Sequence, residues 1–144
     1  MKSSEFITEL FHSPARFKWL NLPGPNTEVV SAEFKVNNVE YVWYATQTMD
    51  PETWDIEFQD TESGYGITGK GNATVVFSTV LDIMDFFIRR VVATRLIFSA
   101  EEPSRKKLYA AIIKRLLPRW TVQMVGSTFV VTSPYRDPEN KKLI

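Results

Sequence analysis

The sequence predicts a single α/β domain of the α+β kind, in which helices flank a mixed, mainly antiparallel sheet. Apolar and polar residues alternate between residues 30 and 59, which is typical of strands with one buried face. The second half reads as helix, strand, helix and hairpin. A chain of 144 residues with 44% hydrophobic residues can bury one core, so one domain is expected to span residues 1–144.

The first 20 residues are predicted to form a short amphipathic helix and a lead-in to the sheet. Ser3 or Ser4 can cap the helix. Its apolar face is formed by Phe6, Ile7, Leu10 and Phe11. Two prolines and a glycine in residues 21–27 predict a loop after it.

A two-residue turn at Asn37-Asn38 is the clearest hairpin signal in the chain. Asparagine tolerates the positive φ that such a turn needs, and Val36 and Val39 flank it. A third strand is predicted over residues 52–59, where Trp54, Ile56 and Phe58 alternate with polar residues. Surplus aromatic residues before residue 55 either fill the sheet core or form a binding surface, and the exposed anchors would then be Val42 and Tyr44.

A helix is predicted from Ala73 to about Arg90, because apolar residues recur there at helical spacing. Its predicted stripe comprises Val76, Val80, Ile83, Met84, Phe87 and Val91. Leu96-Ile97-Phe98 then predicts a buried strand.

A second helix is predicted from Ser104 to Leu117, where Pro118 stops it. Its predicted core stripe comprises Leu108, Ala111, Ile112 and Leu116. Its predicted solvated side comprises Arg105, Lys106, Lys107, Lys114 and Arg115. Residues 120–125 and 128–132 are predicted to close the sheet as a hairpin around Gly126-Ser127, and residues 134–144 read as a polar tail.

Composition narrows the function classes. The 17 basic and 17 acidic residues balance, which argues against a nucleic-acid-binding surface. The chain has no cysteine, so disulfides, thiolate metal sites and a cysteine nucleophile are excluded. No apolar run approaches the length of a membrane span, and the N-terminus lacks the apolar core of a signal peptide. We expect a cytoplasmic protein.

The turn Thr68-Gly69-Lys70-Gly71-Asn72-Ala73 opens the first long helix. Glycines let the backbone approach a phosphate closely, and the free N–H groups and dipole of a helix start favour an anion. The turn fits neither a Walker phosphate loop nor a dinucleotide fingerprint. A simple structural turn is the alternative.

The order of elements and this turn resemble the GNAT-type N-acetyltransferases. The pyrophosphate loop of that family reads Gln/Arg-x-x-Gly-x-Gly/Ala, and Thr68-x-x-Gly71-x-Ala73 matches it except at the first position. The resemblance implies that residues 68–73 hold acetyl-CoA by its pyrophosphate, and that the fourth and fifth strands splay to admit the pantetheine arm. The chain departs from the family in having one rather than two helices before the sheet.

The resemblance also implies two catalytic residues. Tyr109, in a helix that follows a strand, stands where the family often places a tyrosine that protonates the departing CoA thiolate. Glu57, on the polar side of the third predicted strand, would be the base that deprotonates the amine. A packing role for Tyr109 and a solvated position for Glu57 are the alternatives.

A second resemblance concerns origin. The Tyr65-Gly-Ile-Thr-Gly-x-Gly-Asn72 stretch and the segment from Ile97 to Tyr109 are similar to small accessory proteins of tailed bacteriophages. This resemblance implies a role in the cytoplasm of an infected bacterium and a host protein as partner. Acyl transfer to a host amine is the leading expectation, and a catalytically silent module of the same fold that binds a host enzyme or a virion protein is the rival.

Overall fold

The computed structural model describes residues 16–24, 26–60, 72–100 and 103–134. Within them, seven strands form one sheet in the order β1-β2-β3-β4-β5-β7-β6. The strands are β1 (Phe17–Asn21), β2 (Val29–Val36), β3 (Val39–Gln47), β4 (Thr53–Asp60), β5 (Arg95–Ser99), β6 (Thr121–Val125) and β7 (Thr128–Thr132); the helices are α1 (Asn72–Arg90) and α2 (Pro103–Leu116). The mixed, mainly antiparallel α+β class is confirmed. The predicted N-terminal helix and most of the predicted tail lie outside the described residues.

The first four strands form an antiparallel meander. Strands β2 and β3 pair without interruption from Val29↔Thr46 to Val36↔Val39. The turn between them has φ of 49° at Asn37 and 67° at Asn38. Two consecutive positive φ values define a type I′ turn, whose twist matches that of the flanking strands. The predicted hairpin is therefore confirmed.

Strand β1 was not predicted, because its five residues are too short and irregular to give a clear alternation. It pairs with β2 at the sheet edge, with a register shift between Trp19 and Asn21. Phe17 and Trp19 are half-buried against the core. The predicted loop over residues 21–27 therefore begins one residue later, because Asn21 belongs to the strand.

The only parallel pair among the described strands lies at the centre of the sheet. Strand β4 leads through α1 to β5, and the two strands pair in parallel from Thr53↔Arg95 to Ile56↔Phe98. Strands β5, β7 and β6 continue antiparallel. Gly126 has a φ of 62°, which suits the first central position of a type II′ turn and accounts for the predicted closing hairpin.

Both helices cover the same face of the sheet, which we call the helix face. Phe87 of α1 packs edge-on against Trp43 and Trp54, with ring centroids 5.4 and 5.2 Å away. Tyr109 of α2 packs against Phe58 and Phe98. Strand periodicity puts these aromatic residues on one side, so the alternate aromatics of the sheet fill the core as predicted. The α1 stripe is also confirmed, except that Val91 follows the helix and is only half-buried.

The prediction for α2 needs one correction. Lys106, Lys107, Lys114 and Arg115 are exposed as expected, but Arg105 is only 2% exposed. Ala111 is exposed and Leu116 half-buried, whereas Tyr109, Ile113 and Leu117 are buried. The helix is thus rotated relative to the predicted stripe. Since positions 105, 109 and 113 are four residues apart, they share one side of the helix, and that side faces the sheet.

Candidate functional site

The parallel pair at the sheet centre comes apart halfway along β4. Its ladder ends at Ile56 and Phe98, whereas β4 continues to Asp60. Beyond Phe98, β5 follows β7: Ser99 pairs with Thr128, and the Ala100 amide donates to the Ser127 carbonyl at 2.9 Å. We call the place where β4 and β5 separate the fork. Backbone groups at the end of β4 therefore need partners other than β5.

Arg105 of α2 supplies one such partner. Its Nη1 donates a hydrogen bond to the Phe58 carbonyl, and the guanidinium carbon lies 4.3 Å from the centroid of the Phe58 ring. Both interactions favour a buried guanidinium, because this planar group can donate hydrogen bonds in its plane and stack on an aromatic ring with its face. The helix side of the fork is therefore filled by an arginine side chain.

Tyr109 lies one helical turn after Arg105 and is fully buried. Its ring centroid is 5.0 Å from that of Phe98 and 6.2 Å from that of Phe58, so the ring spans the two strands of the fork. The hydroxyl makes no hydrogen bond of normal geometry within the described residues. Among the described residues, the Tyr109 ring is therefore held by its aromatic contacts and not by a hydrogen bond from its hydroxyl.

Burial raises the pKa of Tyr109 to about 12, because the phenolate would lose its hydration. The Arg105 charge and the nearby Phe58 backbone act in the lowering direction, and the negative charge of Glu57 adds a smaller rise. Arg105 and the Phe58 backbone are close neighbours of the Tyr109 hydroxyl, but neither forms a hydrogen bond of normal geometry with it. Tyr109 is protonated at neutral pH.

Glu57 lies at the same fork on the other face of the sheet, which we call the far face. It is half-buried, and the Tyr44 hydroxyl donates to its Oε2 at 2.5 Å. Asp55 lies two residues before it on the same face, and partial burial, followed by the Glu57 charge, raises the pKa of Asp55. Glu57 is thus a positioned carboxylate and not a freely solvated one. Tyr44, predicted as an exposed anchor, is half-buried and holds it.

The predicted phosphate-binding turn is described only at its end. Thr68, Gly69, Lys70 and Gly71 lie outside the described residues. Asn72 and Ala73 form the first turn of α1, where the backbone N–H groups have no partner within the helix. That turn carries no acidic residue that would repel an anion.

Two of the predicted site residues, Tyr109 and Glu57, therefore lie near the same fork but on opposite faces of the sheet. Arg105 was not predicted as a site residue, because a basic residue in a basic run was assigned to solvent. Arg105, Tyr109 and Ile113 follow one another at intervals of four residues. This helical spacing was the signal that could have placed Arg105 on the buried side of the helix.

Other kinds of site find little support. Within the described ranges, no three acidic or histidine side chains are grouped so that they could hold a metal ion. Neither described helix combines the length and hydropathy needed to cross a bilayer. The sequence matches no protein-family model, and no curated protein is detectably similar to it. The function must therefore be inferred from the chemistry of the fork.

Proposed function

We propose that the protein is a GNAT-like N-acyltransferase that moves an acyl group from acetyl-CoA or a related acyl-CoA to an amine. The observation that carries this proposal is the fork, with a buried tyrosine on one face and a positioned glutamate on the other. A parting of the fourth and fifth strands is what the resemblance to this family implies for admitting the pantetheine arm. The start of α1, whose first turn has free backbone N–H groups and no acidic residue, adds support.

The residues present fit an acyl-CoA if one side chain moves. Asn72 and Ala73, with the glycine turn before them, would hold the pyrophosphate. The Phe58 carbonyl, which now accepts from Arg105, is the kind of group to which an amide of the pantetheine arm would donate. Arg105 must therefore leave this carbonyl when the arm enters.

Two residues of the chain would handle protons. The attacking amine forms the new C–N bond as the thioester C–S bond breaks; Glu57 takes the proton from the amine nitrogen, and Tyr109 Oη gives a proton to the sulfur. The hydrogen bond from Tyr44 fixes the Glu57 carboxylate. A tyrosine with a pKa of about 12 is a much weaker acid than a thiol, whose pKa is about 8.5. Entry of water and substrate at the fork must then lower the pKa of Tyr109.

The acceptor is proposed to be an amine on a host bacterial protein, in keeping with the resemblance to phage accessory proteins. A cytoplasmic location belongs to the same proposal.

Ligand-induced stabilisation tests the binding step. Acetyl-CoA at millimolar concentration should raise the melting temperature, because a ligand that binds only the native state stabilises it. Gly71→Glu should abolish the shift, since a carboxylate would repel the pyrophosphate. The matched control is Tyr41→Phe, which removes a buried hydroxyl from the neighbouring strand and should leave the shift unchanged. The absence of any shift in the unmodified protein would refute the proposal.

Turnover variants then test the roles at the fork. Tyr109→Phe and Glu57→Gln should each lower turnover with acetyl-CoA by about 10²–10⁴-fold, the usual contribution of a positioned acid or base. Both should keep the thermal shift. Turnover equal to that of the unmodified protein would remove the substituted residue from the mechanism.

A catalytically silent protein-binding module is the second candidate, and Arg105 is the observation that favours it. Arg105 closes the fork, and the raised pKa of Tyr109 makes its hydroxyl a poor proton donor. Both features are expected of a scaffold that has lost its substrate channel. The variant Arg105→Ala separates the two candidates. An enzyme should bind acetyl-CoA at least as tightly once the displaced side chain is gone, whereas a silent module should lose stability and gain no acetyl-CoA binding. Capture of a host protein from bacterial lysate, by a protein that does not bind acetyl-CoA, would support the module.

A further inference from the structure

Strand β6 ends the sheet with an exposed outer edge. It pairs with β7 on one side, and no described residue pairs with its other side. All five of its residues are exposed, including Val122 at 46%, Met124 at 40% and Val125 at 58%. Apolar side chains on a free strand edge are a template for pairing with another chain.

The closing turn decides which backbone groups this edge presents. A two-residue turn at Gly126 and Ser127 makes Val125 and Thr128 a hydrogen-bonded pair, and such pairs alternate along an antiparallel ladder. Thr121, Gln123 and Val125 therefore direct their backbone groups toward β7. Val122 and Met124 direct their N–H and C=O groups outward.

The edge carries none of the features that usually prevent strand pairing. Its sequence, Thr-Val-Gln-Met-Val, has no lysine, no other charge and no proline, and its ladder with β7 has no bulge. On the helix face, Val122 borders a groove of about 500 Å³ between α2 and the last hairpin. The groove is lined mainly by apolar residues, among them Ile113, Leu117, Trp120 and Phe129.

We propose that β6 pairs antiparallel with β6 of a second copy of this chain, around a two-fold axis at Gln123. In that register Val122 of one copy faces Met124 of the other, and each such pair exchanges two hydrogen bonds through the outward groups. The apolar side chains of these pairs meet on the helix face, next to the groove. The two Gln123 side chains meet on the far face as a pair without backbone hydrogen bonds between them.

Self-complementarity is the reason for choosing a second copy as the partner. An isologous interface needs a surface that matches itself under rotation. A five-residue strand whose outward groups lie symmetrically about its central residue, and whose neutral side chains give no like-charge contact, meets that need. This inference does not depend on the proposed acyltransferase activity, because β6 lies two strands away from the fork.

A single introduced cysteine tests both the dimer and its register, since the chain has no cysteine of its own. Gln123→Cys should form a disulfide-linked dimer under mild oxidation, because a non-hydrogen-bonded antiparallel pair brings the two Cα atoms to about 4.5 Å. Thr121→Cys is the matched control. In the proposed register it lies opposite Val125 of the second copy, about 13 Å from its own equivalent, and should not cross-link. A monomer by light scattering at every concentration, or equal cross-linking of both variants, would overturn the proposal.

Opposite charges at the axis provide a second test that does not need oxidation. Gln123→Lys and Gln123→Glu should each raise the dissociation constant of the dimer, by up to about fivefold, because like charges then face each other. Mixing the two variants should restore dimers, measured by sedimentation velocity. A failure of the mixture to associate, with both variants folded by circular dichroism, would show that residue 123 does not lie on a two-fold axis.

Discussion

Replacing Tyr109 by phenylalanine should stabilise the protein although it removes the proton that the proposed mechanism uses. The hydroxyl is buried and makes no hydrogen bond of normal geometry within the described residues. An unsatisfied buried hydroxyl costs about 1–3 kcal/mol. The Phe58 backbone and the Arg105 guanidinium lie close enough to relieve part of that cost. We therefore expect the free energy of unfolding to rise by about 1 kcal/mol at neutral pH in Tyr109→Phe.

The same variant should change how stability depends on pH. The pKa of Tyr109 is raised from 10 to about 12 in the folded chain, so the unfolded chain releases this proton first as the pH rises. The contribution of this protonation equilibrium to the free energy of unfolding is fully present below pH 10 and is lost as the pH rises toward 12. The phenylalanine variant lacks this loss. Its advantage should therefore grow between these pH values by up to about 1.4 kcal/mol per pH unit.

Urea unfolding of both proteins at pH 7 and at several values above pH 9 provides the measurement, since the other titrating groups cancel in the difference. Tyr41→Phe is the control for the neutral-pH effect, because its hydroxyl is also buried without a partner but belongs to β3, which is not one of the two strands of the fork. A loss of about 1 kcal/mol or more in Tyr109→Phe would mean that the hydroxyl is hydrogen-bonded, and the reasoning would be wrong. A difference that stays flat above pH 9 would refute the raised pKa.

Substitutions at three further positions test the core, the turn and the far face. Phe87→Ala should cost about 3–5 kcal/mol in urea unfolding, because its buried ring packs on Trp43 and Trp54; a cost below about 2 kcal/mol would contradict this packing. Asn38→Ala should cost about 1 kcal/mol and Asn38→Gly nothing, since φ is positive there; equal stability of the two variants would count against the type I′ turn. Asp55→Asn should raise the melting temperature at neutral pH, because the raised pKa of Asp55 means that its ionised form is disfavoured in the fold. This increase in melting temperature should vanish near pH 3, where Asp55 is protonated in both the folded and the unfolded chain. An increase that persists at pH 3 would show that the charge of Asp55 does not cause it.

The elements that local chemistry decides were predictable from the sequence. Asn37-Asn38 specifies its own turn, and the alternation around Trp54 specifies both a strand and the face that it buries. Strand β1 was not predictable in the same way. Its half-buried Phe17 and Trp19 owe their place to pairing with β2, which is a tertiary contact that five residues do not encode alone.

The candidate site was predictable only where position in an element determines the environment. Glu57 was correctly placed on the polar side of its strand, but its hydrogen bond from Tyr44 depends on the register between β3 and β4. Arg105 was wrongly assigned to solvent. A charged residue can be buried when its stem packs and its head finds a carbonyl and a ring, and only the tertiary structure shows that both are present.

The short parallel ladder also has a consequence for the order of folding. Thr53–Ile56 must find Arg95–Phe98 across a crossover that contains the whole of α1, whereas the hairpins β2–β3 and β6–β7 join immediate neighbours in the chain. Closing the longer loop costs more chain entropy, so we expect this ladder to form after those hairpins and to open before them. The fork lies at the free end of the same ladder. Local unfolding that begins at this end would widen the fork. The same opening of the β4–β5 pairing would then determine both the first step of unfolding and the access of a ligand to the sheet centre.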